Sequence, residues 1–206
     1  MKILITCFGP FPGAPANPTE RIARRIQRSR RLALKGIKAR IVRFETVWRA
    51  AFDAPAAISR EKPDAVVMLG LAGRRRHISV EARGTRHWSP LHADAEGARL
   101  GSAPPPGRFQ RRSIFNAAAI AALLKRSGAE CRLSRDAGTY LCNACYYTAL
   151  GAGPPVLFIH VPGAMPRLRP KVRTKRRRMR ANVIEQACLL AVLEAARLAR
   201  RKAVPK

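Results

Sequence analysis

One cysteine in this sequence has a setting that suits nucleophilic chemistry. Cys142 lies in the segment RDAGTYLCNACYY, where Gly138 permits a turn just before an apolar helical stretch. A cysteine at a helix N-terminus lies at the positive end of the helix dipole, which favours the reactive thiolate, and the free N–H groups there can donate to an oxyanion. Without further context, a cysteine in an apolar segment is more often a small buried hydrophobe.

Candidate partners for this thiol lie far from it in the sequence. His160 ends the apolar segment VLFIHVP, and the carboxyl ends of buried strands are where parallel α/β folds place functional groups. Glu81 lies on the short strand pattern HISVEARG, where a carboxylate needs a partner such as an imidazole. A cysteine–histidine pair works best when a third group fixes the imidazole tautomer. Taken alone, His160 is equally well a histidine bonded at a sheet end, and Glu81 a member of a surface ion pair.

Alternating strand and helix patterns predict the frame that positions these groups. Apolar strand patterns cover residues 2–7, 37–44, 65–69, 77–82, 130–133 and 156–161. A helix opens at Asn17 with a capping-box-like start, and further helical patterns cover residues 49–60, 113–127, 143–150 and 178–200. Residues 84–107 are rich in Gly and Pro and form a long excursion. We expect an α/β fold, a three-layer α/β/α sandwich with a mostly parallel central sheet, in which residues 1–206 form a single domain.

The start of the chain and its hydropathy indicate an intracellular protein. MKILITC runs directly into GPFPG without a cleavage pattern, which predicts a first strand and not a signal peptide. No apolar run reaches the roughly 20 residues that a membrane helix needs. We therefore expect a cytoplasmic protein that does not enter a membrane.

The net charge of +29 is extreme, with 41 basic and 12 acidic residues. The densest stretch, residues 167–180, holds nine basic residues and leads into the C-terminal helix, but the remaining excess is spread over the whole chain. Such a surface binds polyanions at low salt. Because no recognisable nucleic-acid module or interleaved aromatic pattern accompanies the charge, a dedicated nucleic-acid partner is not expected.

The five cysteines are odd in number and scattered, which argues against a disulfide framework. Cys142 and Cys145 form a C-x-x-C pair, but a zinc site would need two more ligands at suitable spacing, and the sequence offers none nearby. We interpret Cys7, Cys131 and Cys188 as buried hydrophobes. The sequence therefore predicts no metal site and no cofactor.

Four segments, in order along the chain, carry a resemblance to a known family. They are CFGPFPG followed by NPTE at 17–20, GLAGR at 70–74 continuing to Ile78 and Glu81, AGTYLCN at 137–143, and FIHVP at 158–162. Together they resemble the pyroglutamyl peptidase I, or pyrrolidone-carboxylate peptidase, family over most of the chain from Met1 to Pro162. The last two blocks are highly specific, with the histidine 18 residues after the cysteine.

The resemblance implies a cysteine exopeptidase, an omega peptidase that removes an N-terminal pyroglutamyl residue from peptides. It places the nucleophile at Cys142, the base at His160 and the third catalytic residue at Glu81. It also implies a substrate slot formed by Phe8, Phe11, Asn17, Leu71, Tyr140 and Leu141. Members of the family are often tetramers, so the resemblance implies a homo-oligomer.

The sequence departs from the family pattern near the substrate entrance. Leu91 stands where the family has an arginine on the oxyanion side, although Asp94 is retained nearby. Loss of one such donor can cost about 10²–10³ in turnover, and Arg83 or Arg86 are candidates to fill the space. Two alternatives therefore remain open: a weakened or inactive relative that binds polyanions or nucleic acid through its basic surface, and an amidohydrolase acting on another small cyclic amide.

Overall fold

The computed structural model describes residues 1–11, 14–101, 103–163 and 179–203. The strands are β1 (Lys2–Phe8), β2 (Lys38–Phe44), β3 (Ala65–Ala72), β4 (Ile78–Glu81), β5 (Arg83–Thr85), β6 (Gln110–Arg112), β7 (Cys131–Ser134) and β8 (Val156–Pro162). The helices are α1 (Pro18–Gln27), α2 (Arg30–Ala33), α3 (Arg49–Glu61), α4 (Ala117–Arg126), α5 (Leu141–Ala149) and α6 (Ala181–Ala203). Most of the basic stretch at 167–180 lies outside the described residues, so its prediction stays untested.

A six-stranded sheet with the order β2-β1-β3-β8-β4-β7 forms the middle of the molecule. β2, β1, β3 and β8 run parallel to one another, whereas β4 pairs antiparallel with β8 and parallel with β7. The predicted mostly parallel sheet is confirmed, and the last two strands of the order run against the other four. Every residue of β8 is buried, as expected for a strand covered on both faces.

Helices cover both faces of this sheet, so the three-layer architecture is confirmed. Side chains alternate along each strand, and one set packs in a core with α1, α4 and α6, for example Ile5 with Ile22 and Val192. The other set packs with α3 and α5, for example Met68 with Ala51 and Tyr146. None of the described helices combines the length and the apolar character needed to cross a membrane.

The excursion between β4 and α4 contains secondary structure that the sequence pattern did not predict. β5 and β6 form a separate antiparallel ribbon. Asn143, fully buried on α5, ties this ribbon to the helix: its side chain accepts from the Thr85 N–H at 2.8 Å and donates to the carbonyl oxygens of Thr85 and His87. The excursion is therefore anchored directly beside Cys142 on the same helix.

Candidate active site

Cys142 is the second residue of α5, so its sulfur lies in the first turn of the helix. Tyr140 is the N-cap and makes no side-chain capping bond, which leaves first-turn N–H groups without a side-chain acceptor. α5 begins two residues earlier than the sequence pattern indicated, because apolar Leu141 is buried as part of the helix. Cys142 is half-buried and lines an open cavity together with His160.

Gly70 on β3 provides the space that the sulfur occupies. A Cβ at this position would lie 3.0 Å from Sγ of Cys142 and 2.7 Å from Cζ of Phe158, both closer than van der Waals contact allows. Gly70 pairs with His160 across β3 and β8, and partners in a parallel pair point to the same face. The sulfur therefore sits over the sheet beside the strand position that carries the imidazole.

His160 and Glu81 form a buried hydrogen-bonded pair. Nδ1 of His160 lies 2.8 Å from Oε1 of Glu81, and both residues are buried. Because β4 runs antiparallel to β8, Ser79 faces His160 and Glu81 faces Phe158, so the carboxylate reaches the imidazole as a diagonal neighbour on one face of the sheet. This contact fixes the tautomer with Nδ1 protonated and leaves Nε2 as the basic nitrogen.

Arg75 is a further contact of Glu81 that sequence reasoning missed. Its Nη1 lies 2.6 Å from Oε1 of Glu81, the same oxygen that meets His160, and its Nη2 donates to the carbonyl of Asp136 at 2.7 Å. Arg74 belongs to the GLAGR segment that carries the family resemblance, but it is exposed and lines the cavity without contacting the carboxylate. Three consecutive arginines carry no sequence signal that separates their roles.

The electrostatics of the site keep the thiol protonated at rest. Burial raises the pKa of Cys142 to about 12, and the negative charge of Glu81 raises it further, while Arg75 lowers it. The position of Cys142 at a helix N-terminus favours the anion, so it acts against the effect of burial. The thiolate therefore forms when a nearby base accepts its proton, and the imidazole lines the same cavity.

Some of the residues expected to form a substrate slot line the cavity, and others do not. Phe11, Asn17, Leu71 and Tyr140 line it. Asn17 also accepts from the Thr19 N–H at 3.1 Å, so it caps α1 as the sequence pattern predicted, and its amide donates to the carbonyl of Gly9.

Two of the expected slot residues do not line this cavity. Phe8 is buried, with its ring 6.0 Å from that of Phe44, and Leu141 is buried in the core beneath α5. Their proximity to a bound lactam ring stays a prediction.

The position expected for an arginine is filled by an exposed leucine. Leu91 is 74% exposed and lines the cavity mouth. Arg83 and Arg86 do not replace the missing donor: Arg83 binds the carbonyl of Arg135 and the side chain of Gln110, and Arg86 binds carbonyl oxygens within the excursion. The cavity wall therefore presents an apolar side chain at this position.

Asp94 has a structural role in the same region. It is buried and accepts from the N–H groups of Trp48, Glu96 and Ala98 at 2.9–3.0 Å. Tyr140 adds a second tie, because its hydroxyl donates to the carbonyl of Ala93 at 2.9 Å. The cavity wall between residues 91 and 98 is thus held to α3 and to the start of α5.

A half-buried thiol at a helix start, with an imidazole and a carboxylate aligned on the adjacent strands, defines a cysteine hydrolase on an α/β/α sandwich. No cluster of three or more potential metal ligands occurs among the residues described. The profile of the pyroglutamyl peptidase family matches residues 1–197, and the chain belongs to that family. It is therefore a cysteine peptidase of the exopeptidase type.

Individual relatives agree with this assignment. The pyrrolidone-carboxylate peptidase of Gloeobacter violaceus is 32% identical over 170 residues, which cover 79% of this chain and 82% of that protein. The solved pyrrolidone carboxyl peptidase from Thermococcus litoralis aligns with all of this chain and 99% of its own, with a TM-score of 0.82 and 25% identity. Pyroglutamyl peptidase I from Bacillus amyloliquefaciens aligns with 95% of this chain and 97% of its own, with a TM-score of 0.81 and 23% identity, which supports the fold.

Proposed function

We propose that this chain removes an N-terminal pyroglutamyl residue from peptides, with Cys142 as nucleophile, His160 as general base and Glu81 as the residue that orients the imidazole. The observation that carries the proposal is the buried contact between His160 Nδ1 and Glu81 Oε1 at 2.8 Å, beside a cavity that His160 shares with Cys142. With Nδ1 held by the carboxylate, Nε2 has its lone pair available for the thiol proton.

The reaction follows from these positions. Nε2 of His160 takes the proton of Cys142, and the thiolate attacks the pyroglutamyl carbonyl carbon. The resulting oxyanion accepts from N–H groups at the start of α5, where Tyr140 provides no competing side-chain cap. Imidazolium then gives its proton to the departing amine, leaving a thioester on Cys142. Water, deprotonated by Nε2, hydrolyses the thioester and releases pyroglutamate.

The cavity offers surroundings that suit a small uncharged lactam ring. Phe11 and Leu71 supply apolar wall, and in this proposal, as the resemblance implies, the main chain at Leu71 accepts the lactam N–H. Because Leu91 has no donor side chain, oxyanion stabilisation in this proposal rests on main-chain N–H groups. A weakened catalyst, with turnover about 10²–10³ below that of a relative with a donor at this position, is compatible with the proposal.

The test is release of fluorophore from a pyroglutamyl-coumarin amide. Wild type should release it, and Cys142→Ala or His160→Ala should lower kcat/KM by at least about 10³ while keeping the wild-type melting temperature within a few degrees. Cys131→Ala is the matched control, because Cys131 is buried in the core on the other face of the sheet and should keep activity. A well-folded wild type that releases nothing would refute the proposal.

The alternative of an inactive relative that binds polyanions is not favoured, since the family assignment and the aligned cysteine, histidine and glutamate support an enzyme. The resemblance also implies a homo-oligomer, a tetramer in many relatives, and the sequence pattern predicts a cytoplasmic location. These two expectations and the single-domain assignment of residues 1–206 stay predictions.

A further inference from the structure

Glu81 is a buried carboxylate with an uneven set of contacts. The residue is fully buried, and both of its side-chain contacts, from His160 and from Arg75, meet Oε1. Oε2 has no hydrogen-bond partner in the structure. Two donors on one oxygen leave the carboxylate no second anchor, so its orientation depends on both of these contacts being made.

A buried carboxylate needs a partner of opposite charge, because burial removes the solvation that water would give it. Arg75 forms an ion pair with Glu81 at 2.6 Å, and its side chain is 28% exposed, so it keeps partial hydration while it pairs with the buried oxygen. The ion pair thus fixes the carboxylate beside the imidazole of His160, which meets the same oxygen.

The same guanidinium also holds the loop that precedes the nucleophile. Nη2 of Arg75 donates to the carbonyl of Asp136 at 2.7 Å, while the side chain of Asp136 accepts from the N–H of Gly138 at 2.8 Å. The main chain of Arg75 is fixed in turn by its N–H bond to the carbonyl of Ala72 at the end of β3. One side chain therefore connects β3, the carboxylate on β4 and the segment that leads into α5.

We propose that Arg75 is a positioning residue for the reaction: it holds the Glu81 carboxylate with Oε1 toward His160, and it sets the separation between that carboxylate and the segment carrying Cys142. The effect of Arg75 on catalysis rests on the proposed function. The effect of Arg75 on the reactivity of the Cys142 thiol can be measured without any peptide substrate.

The direction in which loss of the Arg75 charge shifts nearby pKa values can be predicted. A positive charge near the site favours the deprotonated forms of neighbouring groups, so its loss raises their pKa values, and the pKa of Cys142 is among those that Arg75 lowers. Both limbs of the pH profile of kcat/KM should then move to higher pH. Among the described residues, the titratable or charged groups near these side chains include Arg21, Arg74, His77, His92, Asp94, Asp136, Tyr140, Cys145 and Tyr146.

The experiment compares Arg75→Gln, Arg75→Lys and the charge-matched control Arg74→Gln. Arg74 lines the same cavity but makes no contact with Glu81, so the control removes one nearby positive charge without touching the carboxylate. The readouts are the pH profile of kcat/KM on a pyroglutamyl-coumarin amide and the rate of Cys142 alkylation by iodoacetamide as a function of pH. Melting temperatures report folding.

We expect Arg75→Gln to lower kcat about ten- to a hundredfold and to move both limbs upward by roughly 0.5–1 pH unit, with slower alkylation at neutral pH. Arg75→Lys should restore the position of the limbs but only part of kcat, because an ammonium cannot bridge both acceptors in the planar geometry of a guanidinium. Arg74→Gln should shift the limbs far less, since its charge is exposed to solvent.

Unchanged limbs and unchanged alkylation in a folded Arg75→Gln protein would overturn the inference, as would equal shifts in the two glutamine variants. Should Arg75→Gln not fold, wild-type kcat in Arg75→Lys would overturn the bridging role. Failure of the proposed function looks different: wild type would then release no fluorophore, whereas the alkylation rates would still report whether Arg75 acts on Cys142.

Discussion

The glycine beneath the nucleophile gives the most direct test of the site geometry. Gly70→Ala adds one methyl group where the nearest heavy atoms are Cζ and Cε1 of Phe158, at 2.7 and 2.9 Å, and Sγ of Cys142, at 3.0 Å. Because carbon atoms in contact normally stay about 3.5–4.0 Å apart, the new methyl is roughly 1 Å too close to the ring. Something in the site has to move.

The Phe158 ring cannot move freely, so the steric overlap with the new methyl group displaces the catalytic side chains. Phe158 is fully buried, with its ring centroid 5.1 Å from that of Tyr146 and 4.8 Å from that of His160. Displacing the ring pushes on the imidazole, and displacing the sulfur instead moves the nucleophile. Overpacking of this kind costs about 1–3 kcal/mol in the free energy of unfolding, and a shift of about 1 Å at the nucleophile can cost 10²-fold in rate.

We therefore expect Gly70→Ala to lower kcat on a pyroglutamyl-coumarin amide about 10²-fold, together with a fall of a few degrees in the melting temperature. The matched control is Gly101→Ala, because Gly101 is exposed, lies outside the cavity lining, and would place its Cβ 4.0 Å from the nearest heavy atom. It should behave as wild type. Wild-type kcat in Gly70→Ala would show that the sulfur does not sit over β3 during the reaction.

Two further predictions concern pH and charge. Burial raises the pKa of Cys7 and Cys131 from 9.0 to about 11 and that of Cys188 to about 12, so these thiols ionise first in the unfolded chain. Ionisation of these thiols should leave the free energy of unfolding unchanged below pH 9 and lower it above pH 9 by about 1.4 kcal/mol per pH unit for each thiol. Urea titrations at a series of pH values measure this free energy. A free energy of unfolding that stays constant up to about pH 10.5 would contradict the raised thiol pKa values. The described cavity lining contains three arginines and no acidic side chain, so kcat/KM should be higher for pyroglutamyl-glutamyl than for pyroglutamyl-lysyl substrates at low salt. The preference should largely vanish at about 1 M salt, where the screening length is ~3 Å, and a salt-independent preference would argue against an electrostatic cause.

The sequence was sufficient to predict the sandwich and its central strands, because fully apolar strands such as β8 and amphipathic helices such as α1 follow from simple periodicity. It did not reveal the direction of β4, since a four-residue strand carries no directional signal and its pairing is set by the connections around it. The capping box at the start of α1 was half right: Asn17 caps the helix, but Glu20 pairs with Arg24.

The three candidate catalytic residues were identified from motifs, whereas their supports were not. The role of Gly70 depends on the distance to a sulfur 72 positions away in the chain, which no local pattern encodes. Arg74 and Arg75 are identical neighbours in the sequence, and only the turn after β3 gives the two side chains different directions. Asp94 was noted as retained, but its three main-chain contacts appear only once α3 and the excursion are folded together.

α5 carries the nucleophile and is also one of the most deeply enclosed parts of the chain, with eight of its nine residues buried. Segments with so little exposure exchange their amide protons only through cooperative opening of the whole molecule, unlike surface loops. Cys142 is the one residue of this helix that is not buried, so the nucleophile meets the cavity while the rest of α5 stays fixed in the core. Substitutions that strengthen the packing around α5 should accordingly lengthen the working lifetime of the enzyme under denaturing stress.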